Sequence, residues 1–267
     1  MDLGLSGKRA LITGSSRGTG AAIARALSRE GATVIVHGNA SGDQEQIASE
    51  LASSGSPAHA ATGDITTDEG AARVVEATMA LVGGIDVLVN NFGQATGGTW
   101  DDPSSEGFLR SYEVNTLSAV RMIRAFVAGM RERRHGRIVQ ITTIGTTRPG
   151  PRMPEYYAAK GALATLTVSL SKELAGTGVT VNTVSPGLIR TAEMESYFRH
   201  LASKHGWGDE WEQIEAKGVH KLTGVRASRM ARPEEVADLV AFLVSDRAAY
   251  LTGGNYRVDG GATETVH

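Results

Sequence analysis

The chain of 267 residues is 41% hydrophobic and 21% charged, long enough to bury a sizeable core. Its 27 Lys and Arg against 29 Asp and Glu leave a formal charge of −2, which gives no electrostatic footprint for nucleic acid or for an anionic membrane surface. There is no cysteine, so disulfide frameworks, thiol nucleophiles and thiolate metal sites are excluded.

Short β-branched runs alternate with helical patterns in chain order. A strand over Arg9–Thr13 precedes a glycine turn and a helix over Ala21–Glu30. Next come a strand at Ala32–Val36, a helix at Asp43–Ser53, a weaker strand at Ala58–Thr62 and a helix at Asp68–Val82. Strands follow at Ile85–Asn90, Arg137–Thr142 and Val179–Val184. A helix at Pro233–Ser245 and a strand at Asn255–Val258 complete the series. Continuous apolar strands are what burial on both faces of a parallel sheet requires. The alternation predicts one α/β domain over 1–267, a Rossmann-type doubly wound parallel sheet. Residues 191–232 break the rhythm with a mostly helical, aromatic-rich insertion holding Tyr197, Phe198, Trp207 and Trp211. Its place after a strand's carboxyl end predicts a substrate-binding lid for a substrate with apolar surface.

The seven histidines are scattered, and the closest pair, His200 and His205, misses the i, i+4 spacing of helical ligands, so no metal is expected. No apolar run approaches the ~18–20 residues of a membrane span. Met1–Leu5 lacks the basic-then-apolar start of a secretory leader. A cytoplasmic protein is expected. The basic run from Arg131 to Arg137 lies at a helix end, where cations suit the dipole, and reads as solvated surface.

Two places carry chemistry. Thr13-Gly14-Ser15-Ser16-Arg17-Gly18-Thr19-Gly20 lies at the first strand-to-helix turn, where glycines let backbone N–H groups approach a pyrophosphate. The spacing is Gly-x-x-x-Gly-x-Gly, and no Gly-Lys-Ser/Thr supports a triphosphatase loop. The second strand runs out through His37-Gly38-Asn39 without the acid that would hold a ribose 2′-hydroxyl, and Arg17 stands in the loop where it could reach a 2′-phosphate. NADP(H) is therefore the expected cofactor, with NAD(H) second. Tyr156 and Lys160, four apart, share one helix face. An ammonium about 4 Å from a phenol of pKa ~10 would lower that pKa by two or three units and fit it for acid–base work.

The glycine loop, Asn90-Asn91-Phe92-Gly93, Asn115, Thr142-Thr143, Tyr156/Lys160, Pro186 to Thr191 and Val258-Asp259-Gly260-Gly261 occur in order at matching intervals. Together they make the chain closely resemble the short-chain dehydrogenase/reductase family, 3-oxoacyl-ACP-reductase-like, from Leu5 to Gly261. The resemblance implies hydride transfer between a nicotinamide and a ketone or secondary alcohol, with 3-oxoacyl thioesters, cyclic or steroid-like ketones and sugars all open. It implies Tyr156 as the general acid or base, Lys160 as holder of the nicotinamide ribose and tuner of Tyr156, and Asn115 as anchor of a relay water. It implies Asp64 and Ile65 beside the adenine, Asn91 and Gly93 along the ribose and nicotinamide, and Ile189 and Thr191 at the carboxamide. Gly14, Ser16, Arg17, Gly18, Thr19 and Asn39 complete the expected cofactor set. It also implies a homotetramer or homodimer packed through helices near 103–131 and 154–175 and the last strand.

Two departures stand out. Thr143 replaces the family's serine thirteen residues before the tyrosine, keeping a hydroxyl but adding a methyl group, with Thr142 as the other candidate. Phe92 replaces the alanine of Asn-Asn-Ala-Gly and would crowd the pocket floor or simply pack in the core. These departures motivate the alternative of a catalytically impaired, nucleotide-binding regulatory protein. A redox-neutral lyase of the same fold is opposed by the intact glycine loop and lysine.

Overall fold

Among the described residues, seven parallel strands form one sheet in the order β3-β2-β1-β4-β5-β6-β7. They are β1 Arg9–Ile12, β2 Thr33–Gly38, β3 Ala58–Thr62, β4 Val87–Asn90, β5 Gly136–Ile141, β6 Val179–Pro186 and β7 Asn255–Val258. The computed structural model describes residues 2–39, 42–102, 104–219 and 224–265. The expected architecture is therefore present, and the strand boundaries move by one or two residues. The most consequential shift is in β2, which continues past Val36 so that His37 and Gly38 belong to the strand.

Neighbouring strand residues supply opposite cores. Ala10 and Ile12 of β1, Val34 and Val36 of β2 and Val87 and Val89 of β4 meet Ile23 and Leu27 of α1 (Gly18–Arg29) and Val236 and Val240 of α9 (Pro233–Leu243). Leu11, Ile35 and Leu88 point the other way, onto Val74 of α3 (Asp68–Val82) and Met122, Phe126 and Met130 of α5 (Ser118–Glu132). Burying both faces explains why these strands read as apolar runs. The remaining helices among the described residues are α2 (Asp43–Ser53), α4 (Ser105–Tyr112), α6 (Pro154–Glu173), α7 (Ala192–His205) and the short α8 (Trp211–Ile214). Between α4 and α5 one π-helical turn, Glu113–Leu117, carries the chain on without a break.

Within the insertion expected at 191–232, residues 192–205 and 211–219 are helical and 220–223 lie outside the described residues, but the aromatic residues do something else. Phe198 and Trp211 are buried with Ile214, Val219, Val225 and Met230 in a small core of their own, against Ile144 and Leu188. The inference from aromatic content to an apolar substrate surface is thus corrected for Phe198, Trp207 and Trp211, which pack inward, while Tyr197 stays exposed. Among the described residues no helix is long and apolar enough to cross a membrane.

Candidate active site

Strand order reverses between β1 and β4, so the connections leaving their carboxyl ends diverge and open a crevice. A cavity of about 300 Å³ lies there, lined by Gly14, Ser16, Arg17, Gly38, Asn39, Asp43, Asn91, Phe92 and Gly93. A wider hollow of about 520 Å³ continues past Asn39, Asp64, Thr66 and Phe92. On the other side, sharing Asn91 and Gly93, a cavity of about 180 Å³ holds Thr19, Thr142, Thr143, Tyr156, Lys160, Gly187 and Ile189. Because each shares lining residues with the next, the three form one groove along the carboxyl edge of the sheet.

The groove has the shape a dinucleotide needs. Gly14 and Gly18 adopt φ of 61° and 55°, a region L side chains rarely enter. A Cβ at Gly14 would lie 2.9 Å from the Phe92 Cα, and one at Gly20 would strike the Gly14 carbonyl. A Cβ at Gly93 would fall 2.8 Å from Lys160 Nζ and 2.7 Å from Asn115 Oδ1. Helix α1 begins at Gly18 with no side-chain cap and no acid in its first turn, so its orphan N–H groups face the groove. A pyrophosphate on the Gly14–Thr19 turn fits these features. Asn91 holds the turn from across the crevice, its Nδ2 donating to the carbonyls of Thr13 and Gly14. Arg17 pairs with Glu193 of α7 at 3.3 Å, both side chains well exposed. An exposed pair of this kind is worth about 0–1 kcal/mol and gives way to a phosphate.

At the reacting end, Lys160 is 3% exposed and its Nζ donates to the Ile141 carbonyl at 2.9 Å. Burial lowers it to about 8. Burial, with Tyr157 beside it, pushes the Tyr156 phenol up to about 12. The expected downward tuning of Tyr156 by Lys160 is therefore corrected: the ammonium is turned to the end of β5, and desolvation governs the phenol. Thr143 is half-buried, accepts the Gly145 N–H at 3.2 Å and keeps its own hydroxyl proton for the cavity. Thr142 is buried, with its hydroxyl 2.7 Å from Ser185 Oγ, so Thr143 is the more available hydroxyl. Tyr157 packs across Gly145, where any side chain would collide with its ring, and this seats the Thr143 turn against α6.

Asn115 sits in the π-turn. Its Oδ1 accepts from Gln94 N–H, while Nδ2 donates to the Gln94 carbonyl and to the carbonyl of Ser111. The amide thus fixes the strand-exit loop after Gly93. Ile65 is also corrected, because its side chain is fully buried in the core with Leu11 and Ile35. Asp64 does line the groove, its Oδ1 taking the Thr66 N–H and hydroxyl. Thr191 caps α7, and its methyl would lie 3.7 Å from a Cβ at Gly18. Phe92 lines the groove, packs on the core and meets the His37 ring edge-on at 6.1 Å.

Sequence reasoning missed Asp43 and His37. Asp43, the first residue of α2, lines the same cavity as Arg17 and Asn39. An acid thus stands on the cavity rim although β2 itself ends without one; the helix start at Asp43 was legible, but not that it faces the Arg17 cavity.

Comparison with known proteins places the chain in a family. A family model described as enoyl-(acyl carrier protein) reductase matches residues 14–263. The chain is 33% identical to an uncharacterised oxidoreductase of Bacillus subtilis (strain 168), YvaG, over all of both chains. It is 34% identical to the 3-oxoacyl-[acyl-carrier-protein] reductase FabG of Vibrio cholerae, across 97% of this chain and 98% of that one. The crystal structure of L-sorbose reductase from Gluconobacter frateurii, complexed with NADPH and L-sorbose, superposes with a TM-score of 0.93 at 34% identity over all of both chains. In sequence, sheet order and groove alike, this chain belongs to the short-chain dehydrogenase/reductase family of oxidoreductases.

Proposed function

We propose that this enzyme reduces a compact, polar ketone of the ketose kind with NADPH. The observation that carries the reading is one cavity of about 180 Å³ in which Thr143, Tyr156 and Lys160 meet beside the glycine-lined groove. The bound nucleotide supplies the hydride. Tyr156, protonated up to about 12, is a phenol with a proton to give to the carbonyl oxygen as charge develops there. Thr143 donates its free hydroxyl proton to the same oxygen. Lys160 and Asn115 place the walls: one ties the end of β5, the other holds Gln94 and with it Gly93. The small cavity, the inward-packed rings of the insertion and the likeness to an L-sorbose reductase support a small polar substrate over a bulky apolar one. Helix α7 would close over it. Arg17 and the acid-free end of β2 support NADPH, and Asp43 tempers that preference. The intact Thr143, Tyr156 and Lys160 disfavour a purely regulatory role. We further take the protein to be a cytoplasmic homodimer or homotetramer, since Leu109, Tyr112 and Val168 expose apolar surface on α4 and α6, and light scattering would show it.

The test is NADPH oxidation with L-sorbose and related ketoses, small cyclic ketones and a 3-oxoacyl thioester, beside Tyr156→Phe. Ketose turnover reduced at least about a hundredfold in Tyr156→Phe, with NADPH still bound, is expected. Faster turnover of the thioester overturns the substrate class. No turnover of any substrate despite tight NADPH binding overturns the reductase reading.

A further inference from the structure

His37 is 0% exposed and forms no part of the chemistry above, yet it ties three strand ends together. Its Nδ1 accepts the Gly14 N–H at 3.0 Å. Its Nε2 lies 2.9 Å from the Gly63 carbonyl, one residue before Asp64. A carbonyl can only accept and an amide can only donate, so the ring is neutral and carries its proton on Nε2. The backbone repeats the connection: Ser15 N–H donates to the His37 carbonyl at 2.9 Å, and His37 N–H donates to Ser15 Oγ at 3.0 Å. Phe92 closes the fourth side.

We propose that His37 is a positioning residue for the nucleotide, its neutral Nδ1 holding the Gly14 amide in the phosphate-binding turn, so that protonation of this one ring releases the cofactor. This rests on the nucleotide-binding reading of the groove. The imidazolium has N–H on both ring nitrogens. Protonation would therefore set Nδ1–H against the Gly14 N–H, two buried donors with no acceptor between them. The Gly14–Arg17 turn, at the left-handed φ of Gly14, then loses its only side-chain anchor from β2 among the described hydrogen bonds. Burial pushes the ring below its ordinary 6.5, while the hydrogen bond to the Gly63 carbonyl and then the charge of Asp64 at the exit of β3 work in the opposite direction. From the neighbouring elements, Arg17 and Asp43 line the rim of the adjoining cavity, while β1 and the β4 exit present Thr13, Ser15, Asn91 and Phe92, none of them charged at neutral pH. The release therefore falls on the acid side of 6.5.

The experiment measures NADP⁺ affinity of the whole protein by calorimetry from pH 7.5 to 5.0, in the natural chain, His37→Asn and His37→Gln. The Asn amide oxygen takes the place of Nδ1 and does not titrate; the Gln amide reaches only as far as Nε2. The 2′-phosphate of the ligand titrates alike in all three and cancels in the comparison. His37→Asn should restore binding at pH 7.5 and lose about tenfold less affinity than the natural chain on going to pH 5.0. His37→Gln, with the Gly14 amide unanswered, should bind about tenfold more weakly already at pH 7.5. Equal pH slopes in the natural chain and His37→Asn, or unweakened binding by His37→Gln, overturn the proposal. Should either variant fail to fold, ring ¹⁵N shifts of the natural chain decide. A proton on Nε2, lost as a neutral state in step with NADP⁺ affinity, supports the mechanism, and a proton on Nδ1 at pH 7.5 overturns it. If the natural chain binds neither NADP⁺ nor NAD⁺ at pH 7.5, the nucleotide reading itself fails; tight binding with a flat pH profile sinks only the role of His37.

Discussion

Replacing Lys160 by Met should remove activity and stabilise the protein. The ammonium is buried among Gly93, Ile141 and α6, with its described hydrogen bond going to the Ile141 carbonyl. Its fall from 10.5 to about 8 corresponds to about 3 kcal/mol held against folding at neutral pH. Met fills nearly the same volume without a charge, but leaves the Ile141 carbonyl without that donor, which costs about 1–2 kcal/mol. The net gain is about 1–2 kcal/mol, read as a higher urea midpoint at pH 7.5 at fixed protein concentration. The sign of the pH dependence gives a sharper check. Between about 8 and 10.5 the unfolded lysine binds a proton that the folded one has released, so stability of the natural chain rises with pH there. From pH 8 to 9, below the range where tyrosines titrate, that rise should be about 1 kcal/mol and should vanish in Lys160→Met. A variant less stable than the natural chain at pH 7.5, together with an unchanged pH slope, would refute the reasoning: the buried ammonium would then be stabilising the fold.

Gly20→Ala drives a methyl into the Gly14 carbonyl and the Asn91 amide, so it should abolish nucleotide binding and lower the melting temperature, as calorimetry would show. Thr143→Val should lower kcat by about tenfold to a hundredfold with little change in stability, because its hydroxyl faces the cavity. Thr142→Val should do the reverse, since its hydroxyl bonds Ser185 in the sheet; equal kinetic losses in steady-state assays would contradict the assignment. Asp43→Asn should improve NADPH affinity by about threefold to tenfold and leave NADH nearly unchanged, since an exposed like charge near a phosphate costs about 1 kcal/mol.

The strands were legible because a sheet covered on both faces writes itself as runs of Val, Ile and Leu. Their spatial order was not, since periodicity carries no pairing information. The glycine loop was legible as a motif, but Gly18 and Gly20 concealed that α1 already starts at Gly18, whose left-handed φ belongs to the turn that feeds the helix. Tyr156 and Lys160 were found by their spacing, while the direction of the ammonium depends on Ile141, nineteen residues away. Phe198 and Trp211 were visible as aromatic residues, yet whether a ring faces substrate or a neighbour is decided by partners such as Ile214, Val225 and Met230. Asn115 stood out in its motif, but the atoms that occupy its amide are backbone groups of Gln94 and Ser111, which any sequence would supply.

The π-turn at Glu113–Leu117 gives the chain one residue more than an α-helix of the same rise would use. It works as a phase shifter. One α-helical residue turns the chain by about 100°, so the extra one sets α4 and α5 at different azimuths although they run nearly end to end. Helix α5 can therefore keep Met122, Phe126 and Met130 on the sheet while α4 rolls onto α6. Deleting a single residue from this turn would restore a continuous α-helix and swing the surface of residues 105–112 by about a quarter turn. The Gln94 loop would lose its brace, and the catalytic edge would change shape with every side chain named in the chemistry still in place.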